Sequence, residues 1–181
     1  RHDVELRAAA PYAPQFVDGN EYRCFLLDDG LDSDAYITGL EFLMDRPEVS
    51  HHALLFIDPD GGSEANIEDP ASRSWRCASV QPEGNWASMH AWAPSGGAVE
   101  LDPGLGLRIR QGEQVILQMH YFEQGEPGLV DQPGYALKLE QTVAEEMYYL
   151  PVGPSDFVVP AGERRHTETL EFPIQSWFGP S

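Results

Sequence analysis

The stretch that decides the fold is Gln114-Val115-Ile116-Leu117-Gln118-Met119-His120-Tyr121-Phe122. It contains no Gly or Pro and is dominated by β-branched, aliphatic and aromatic side chains, the composition of a strand. Alternation places Val115, Leu117, Met119 and Tyr121 on one face and Ile116, Gln118 and His120 on the other. Both faces carry bulky apolar groups, so the strand is expected to be well buried. Working outward, segments of the same kind read as strands at Tyr22–Leu27, Ala35–Leu43, His52–Ile57, Met89–Trp92, Leu105–Arg110, Tyr135–Gln141, Met147–Val152 and Thr167–Phe172. Turn signals separate them, among them Asp28-Asp29-Gly30, Asp58-Pro59-Asp60-Gly61-Gly62, Asp102-Pro103-Gly104 and Pro160-Ala161-Gly162. No window shows helical periodicity free of Pro or Gly. Many short strands at even spacing predict an all-β fold, an antiparallel β-sandwich or jelly roll.

The chain of 181 residues carries 11 Lys and Arg against 30 Asp and Glu, a formal charge of −19. Phosphate binding needs clustered cations, so nucleic acid and anionic lipid surfaces are excluded as expected partners. The 41% hydrophobic and 10% aromatic content suits a folded core rather than a disordered acidic chain. The length suits one core, and a single domain over residues 1–181 is expected. No apolar run approaches the ~20 residues that span a bilayer. The chain opens at Arg1 rather than Met, as a processed or excised segment does. Two long loops are expected, Asp58 to Ser74 and Gln124 to Pro133. The two cysteines, Cys24 and Cys77, lie 53 residues apart and fit no zinc-ribbon spacing. By count alone they allow one disulfide or two buried thiols.

The chemistry lies in the histidines, of which there are six: His2, His51, His52, His90, His120 and His166. The adjacent pair His51-His52 stands at the start of the apolar run Ala53-Leu54-Leu55-Phe56. In a regular strand these two side chains point to opposite faces. Both reach one metal only if the backbone is irregular there, or if the two rings bind through different nitrogens. His120, near the end of a buried strand, needs a partner, which a metal or a carboxylate can supply. Three imidazoles suit copper or zinc, and the affinity order favours Cu(II) at a nitrogen site. His90 reads as structural, and Met119, pointing away from His120, reads as core. Met44, Met89 and Trp75, Trp86, Trp92 and Trp177 likewise read as packing residues, and His2 and His166 as solvated.

A family resemblance makes the histidines specific. Tyr22-Arg23-Cys24, His51-His52-Ala53-Leu54-Leu55-Phe56, Ser74-Trp75-Arg76-Cys77, Ala91-Trp92-Ala93, Pro103-Gly104-Leu105-Gly106 and Leu117-Gln118-Met119-His120-Tyr121 occur in this order. Met147-Tyr148 and Val159-Pro160-Ala161-Gly162-Glu163 follow. This succession, over about residues 21–163, resembles the N-terminal domain of the copper type II, ascorbate-dependent monooxygenases. That family includes peptidylglycine α-hydroxylating monooxygenase and dopamine β-monooxygenase. The resemblance implies an antiparallel β-sandwich of jelly-roll type. It implies one copper held by His51, His52 and His120, which supplies an electron, with ascorbate as external reductant. It also implies a Cys24–Cys77 disulfide, and with it an oxidising, secreted or periplasmic location.

In the family a second domain carries the other copper, on a His-x-His pair and a Met, where dioxygen and substrate react. No His-x-His occurs in this sequence. The expected function is therefore the copper-binding, electron-donating domain of a C–H-hydroxylating monooxygenase. Its partner would be a catalytic domain placed C-terminal to it, and no catalytic residue is expected here beyond the electron-transfer copper. The alternatives are a copper-handling protein without oxygen chemistry and a metal-free β-sandwich interaction module. A mononuclear zinc hydrolase ranks last, because no general base is identifiable beside the histidines. None of the proposed ligands is acidic, so the −19 charge reads as a solvated coat.

Overall fold

A computed structural model describes residues 3–27, 31–78, 84–124, 128–150, 158–169 and 171. The chain divides into two compact units, residues 1–149 and 150–181. In the second unit the described residues form no strand, and His166 lies between Glu163 and Glu168 at 3.3 and 2.7 Å. No helix among the described residues is long and apolar enough to cross a membrane.

The first unit is built from strands β1 (Val4–Arg7), β2 (Asn20–Leu27), β3 (Ala35–Leu43), β4 (Ser50–Asp58), β5 (Ser74–Arg76) and β6 (Ala87–Trp92). It continues with β7 (Val99–Glu100), β8 (Leu105–Ile109), β9 (Gln114–Phe122), β10 (Gly134–Glu140) and β11 (Glu145–Met147). One sheet has the order β1-β10-β3-β8-β11, with β7 also paired to β3. The other has the order β5-β2-β9-β4-β6. The two pack as an all-β sandwich. Phe25, Leu55, Leu117, Met119 and Tyr121 of the five-stranded sheet meet Ile37, Leu40, Tyr135 and Leu137 of its neighbour in one buried cluster.

The centre of the five-stranded sheet is β9, and every residue from Val115 to Tyr121 is buried, as its two apolar faces predict. Its outer face has a separate cover. Cys24, Leu26, Phe56, Trp75, Cys77, Trp86 and Ile116 form a second buried cluster there. The Asp58–Ser74 segment, expected as a loop, contains a 3₁₀ turn at Ser63–Asn66. The Asp58 carboxylate braces it by accepting hydrogen bonds from the Asp60, Gly61 and Ser63 amides and the Ser63 hydroxyl. Cys24 and Cys77 are joined by a disulfide with a Cα–Cα distance of 5.7 Å, inside this cluster. A buried disulfide suits an oxidising, extracellular-type environment.

The expected strands between residues 22 and 141 are all present, with ends moved by a residue or two. Two expectations need correction. Of the expected Met147–Val152 strand only Met147 is in a strand, the end of the short β11, which pairs parallel with β8 as an exception to the antiparallel pattern. Residues 148–150 form none, and Pro151 and Val152 lie outside the described residues. Glu145-Glu146-Met147 is too short and too charged to show alternation. Thr167–Phe172 is not a strand in its described residues, and its remainder lies outside them. The short strands β1, β5 and β7 escaped the sequence reading, since two to four residues carry no measurable period.

Candidate metal centre

On the outer face of the five-stranded sheet, side chains form rows across β2, β9 and β4. Tyr22, His120 and His52 make one row, Cys24, Gln118 and Leu54 the next, and Leu26, Ile116 and Phe56 the third. The first row is completed by a defect. Pairing between β4 and β9 runs Ser50 to Tyr121 and then His52 to His120, so His51 is an extra residue without a partner of its own. An insertion of this kind is a β-bulge, which re-aims the side chains beside it. Here it supplies the backbone irregularity that two adjacent histidines need to share a point. Both rings lie 4.7 Å, centroid to centroid, from the ring of His120.

The nitrogens converge more closely than the rings. His52 Nδ1 is 3.1 Å from His51 Nδ1 and 3.3 Å from His120 Nδ1. One nitrogen from each of the three residues lies within 4.8 Å of the others. Among the described residues no other group of His, Cys, Asp and Glu side chains comes together in this way. Nitrogens about 2.0–2.1 Å from a shared ion at near-tetrahedral angles are themselves about 3.3 Å apart. The donor set therefore fits a single transition-metal ion.

The hydrogen bonding around the group sharpens that fit. Asn20 donates through Nδ2 to the carbonyl of Asp18 at 3.0 Å, and a carbonyl can only accept. Asn20 Oδ1 therefore faces His120 Nε2 at 2.8 Å, and Nε2 carries the hydrogen. The His120 Nδ1 lone pair is thereby directed at His52. Tyr22 stacks flat on the same ring, at 4.2 Å and 6°. His52 Nε2 is buried without a hydrogen-bond partner, and it is the other nitrogen of the ring, Nδ1, that faces His51 and His120. Protein groups thus serve His120 on both nitrogens and serve His52 on one.

Electrostatics point the same way. Burial, reinforced by the proximity of His120 and His51, pushes the His52 pKa down to about 4. Burial, and then His51, also lowers that of His120. These two rings are neutral at physiological pH, the form that binds metals. Exposure grades across the three: His120 is 7% exposed, His52 is half-buried and His51 faces solvent. Beside His51 lies Phe122, with ring centroids 6.2 Å apart.

The remaining sequence candidates lie elsewhere. His90 Nδ1 is 3.0 Å from the hydroxyl of the buried Tyr135, in a structural contact between the two sheets, and burial lowers its pKa. Met119 is fully buried in the intersheet cluster with Met89, and Met44 packs against its edge. Trp75, Trp86 and Trp92 are buried packing residues. His2 and Trp177 lie outside the described residues. Two contributors were missed as site residues, Asn20 and Tyr22. The Asp18-Gly19 pair signals a tight hairpin before an apolar run, but it does not mark either residue as part of a site.

No protein-family model matches the chain, and no curated protein matches it.

Proposed function

We propose that His51, His52 and His120 bind one copper ion. We further propose that the domain is the electron-donating part of a copper- and ascorbate-dependent monooxygenase of the family it resembles. The observation that carries the reading is the bulge at His51, which brings an adjacent histidine pair and a third histidine from the next strand to one point. An all-nitrogen, carboxylate-free donor set favours copper over the hard cations. Bound there, copper supplies a one-electron couple between Cu(I) and Cu(II).

The chain's own residues fit that task. Two rings are held neutral by burial, so they offer lone pairs without first losing a proton. The stack on Tyr22 and the bond to Asn20 fix His120 from behind. The solvent-facing ring of His51 is the side from which a reductant or a partner surface approaches. With a single such group among the described residues, hydroxylation needs a second copper site supplied by another domain. Sequence beyond Ser181 in the full-length gene product tests this part. A downstream His-x-His and Met set supports the monooxygenase, and its absence leaves copper handling as the role.

The site itself is tested by copper EPR. The loaded protein should show nitrogen hyperfine structure from imidazole, and the signal should bleach on addition of ascorbate. His120→Ala should abolish it. Failure to retain copper, or full retention by His120→Ala, ends the assignment.

A further inference from the structure

We infer that Asn20 is the positioning residue that sets the tautomer of His120, and that the Asp18-Gly19 turn exists at this point to aim it. The argument begins in the backbone. Val17 and Asn20 exchange both of their main-chain hydrogen bonds, at 2.9 and 3.1 Å, across the two residues Asp18 and Gly19. These have φ of 50° and 77°, the double left-handed conformation of a type I′ hairpin turn. Gly reaches it without strain, and Asp is among the side chains that tolerate it.

That turn delivers the first residue of β2 opposite Phe122 and diagonal to His120. The Gly19 carbonyl also accepts from the Glu123 amide at 2.8 Å, so the hairpin is tied to the end of β9. Both strands that carry the interaction are held in register at this spot. The Asn20 amide then has one orientation. Its Nδ2 is committed to the Asp18 carbonyl, and its Oδ1 can only accept from His120 Nε2. A free neutral imidazole distributes its proton between two nitrogens, whereas this one is confined to Nε2–H. Nδ1 is left as a preset lone pair facing His52, before any ion arrives.

Support of this kind for a ligating histidine is typically worth 10–100-fold in metal affinity. The inference rests on the copper reading for that affinity effect alone. The tautomer belongs to the metal-free protein and is read independently.

The test is long-range ¹H–¹⁵N correlation of the histidine side chains in the metal-free protein at pH 8, followed by competitive titration with Cu(II) and with Zn(II). His120 in the parent should show the Nε2–H pattern. Asn20→Ala should shift it toward a mixture of tautomers and weaken both ions by 10-fold or more. Asn20→Asp keeps an acceptor at the same place, so it should restore the Nε2–H pattern and hold affinity within about threefold of the parent. An Nδ1–H or mixed pattern in the parent overturns the inference. So does an Asn20→Ala protein with unchanged tautomer and affinity, or an Asn20→Asp protein that behaves like Asn20→Ala. If the tautomer responds as stated while the parent takes up neither ion, the inference about Asn20 stands and the copper reading falls.

Discussion

The two ends of one sheet face differ in what completes them. At the lower end of the outer face, Leu26, Ile116 and Phe56 are covered by Trp75 and Trp86, and the Cys24–Cys77 bond locks the cover on. At the upper end, four residues away along the same strands, Tyr22, His120 and His52 stand in the equivalent row. The lower end is closed by area and by a covalent bond, neither of which responds to ions. The upper end gathers three nitrogens within reach of one cation. Gln118, fully buried between them, donates to the Ala78 carbonyl at 3.3 Å and lies 3.6 Å from Cys77 Sγ. It marks the boundary. β9 itself supplies Ile116 at one end and His120 at the other, and its neighbours complete the difference with an apolar lid in one case and a bulged histidine pair in the other.

The largest effect that breaks this contrast falls on the lower end. Replacing both cysteines (Cys24→Ser with Cys77→Ser) removes a cross-link spanning 53 residues. The chain-entropy argument puts its contribution at about 4 kcal/mol. Urea denaturation of the metal-free protein should show a loss of this size, with the midpoint moving strongly. A loss below about 1 kcal/mol means that the apolar lid alone closes the lower end.

At the upper end, loss of a ligand should register in metal affinity far more than in folding. His120→Ala should weaken copper by at least about 100-fold, beyond what loss of a supporting partner costs. His52→Ala should follow closely. His51→Ala should cost least, about tenfold, because that ring is solvent-facing and leans on the cluster and Phe122. Competitive titration against a chelator of known affinity gives the ranking. Equal losses at all three positions contradict the gradation from anchored to open.

Acid separates the two ends more gently. The folded protein holds His52 at about 4, below the ordinary histidine value near 6.5, and also lowers His120 and His90. Between those limits these three histidines bind more protons in the unfolded chain than in the folded one, while the raised carboxyl of Asp131 works in the opposite direction. The histidine contribution to stability therefore rises with pH through this window and falls on acidification from about 6.5 toward 4. Each such group contributes at most about 1.4 kcal/mol per pH unit inside its window. Metal-free unfolding measured at pH 7.5, 6 and 5 should show the decline, and His52→Asn should flatten part of it. The cystines do not titrate, so the lower end adds nothing to the slope.

How much of this the sequence revealed depends on range along the chain. The strand Gln114–Phe122 was legible because nine residues of alternation outweigh any local noise. The His51-His52 pair announced a necessary irregularity, and the slip between Ser50 and His52 is that irregularity. Asn20 was not legible as a site residue. It lies 100 positions from His120, and a residue after Asp-Gly reads only as the start of a strand. Nor was the parallel seat of β11 legible, because Glu145-Glu146-Met147 finds its place through β8 rather than through its own pattern. Local periodicity reports which face a residue takes, whereas pairing partners depend on closure over distances that no window covers.

The smallest predicted effect isolates the one aromatic in the histidine row. Tyr22 lies flat against His120 at 4.2 Å, and offset or stacked ring pairs contribute about 0.5–1.5 kcal/mol beyond their buried area. Removing the ring while keeping an apolar side chain, as in Tyr22→Leu, should therefore weaken copper by about 2- to 10-fold. Tyr22→Phe keeps the stacked face and should stay within about twofold of the parent. If Tyr22→Leu also stays there, the stack adds nothing, and the hydrogen bond from Nε2 to Asn20 is what steadies His120. If Tyr22→Phe instead loses as much as Tyr22→Leu, the hydroxyl rather than the ring face supports the site. The contrast between the ends would then need a polar term at the very row where stacking now accounts for it.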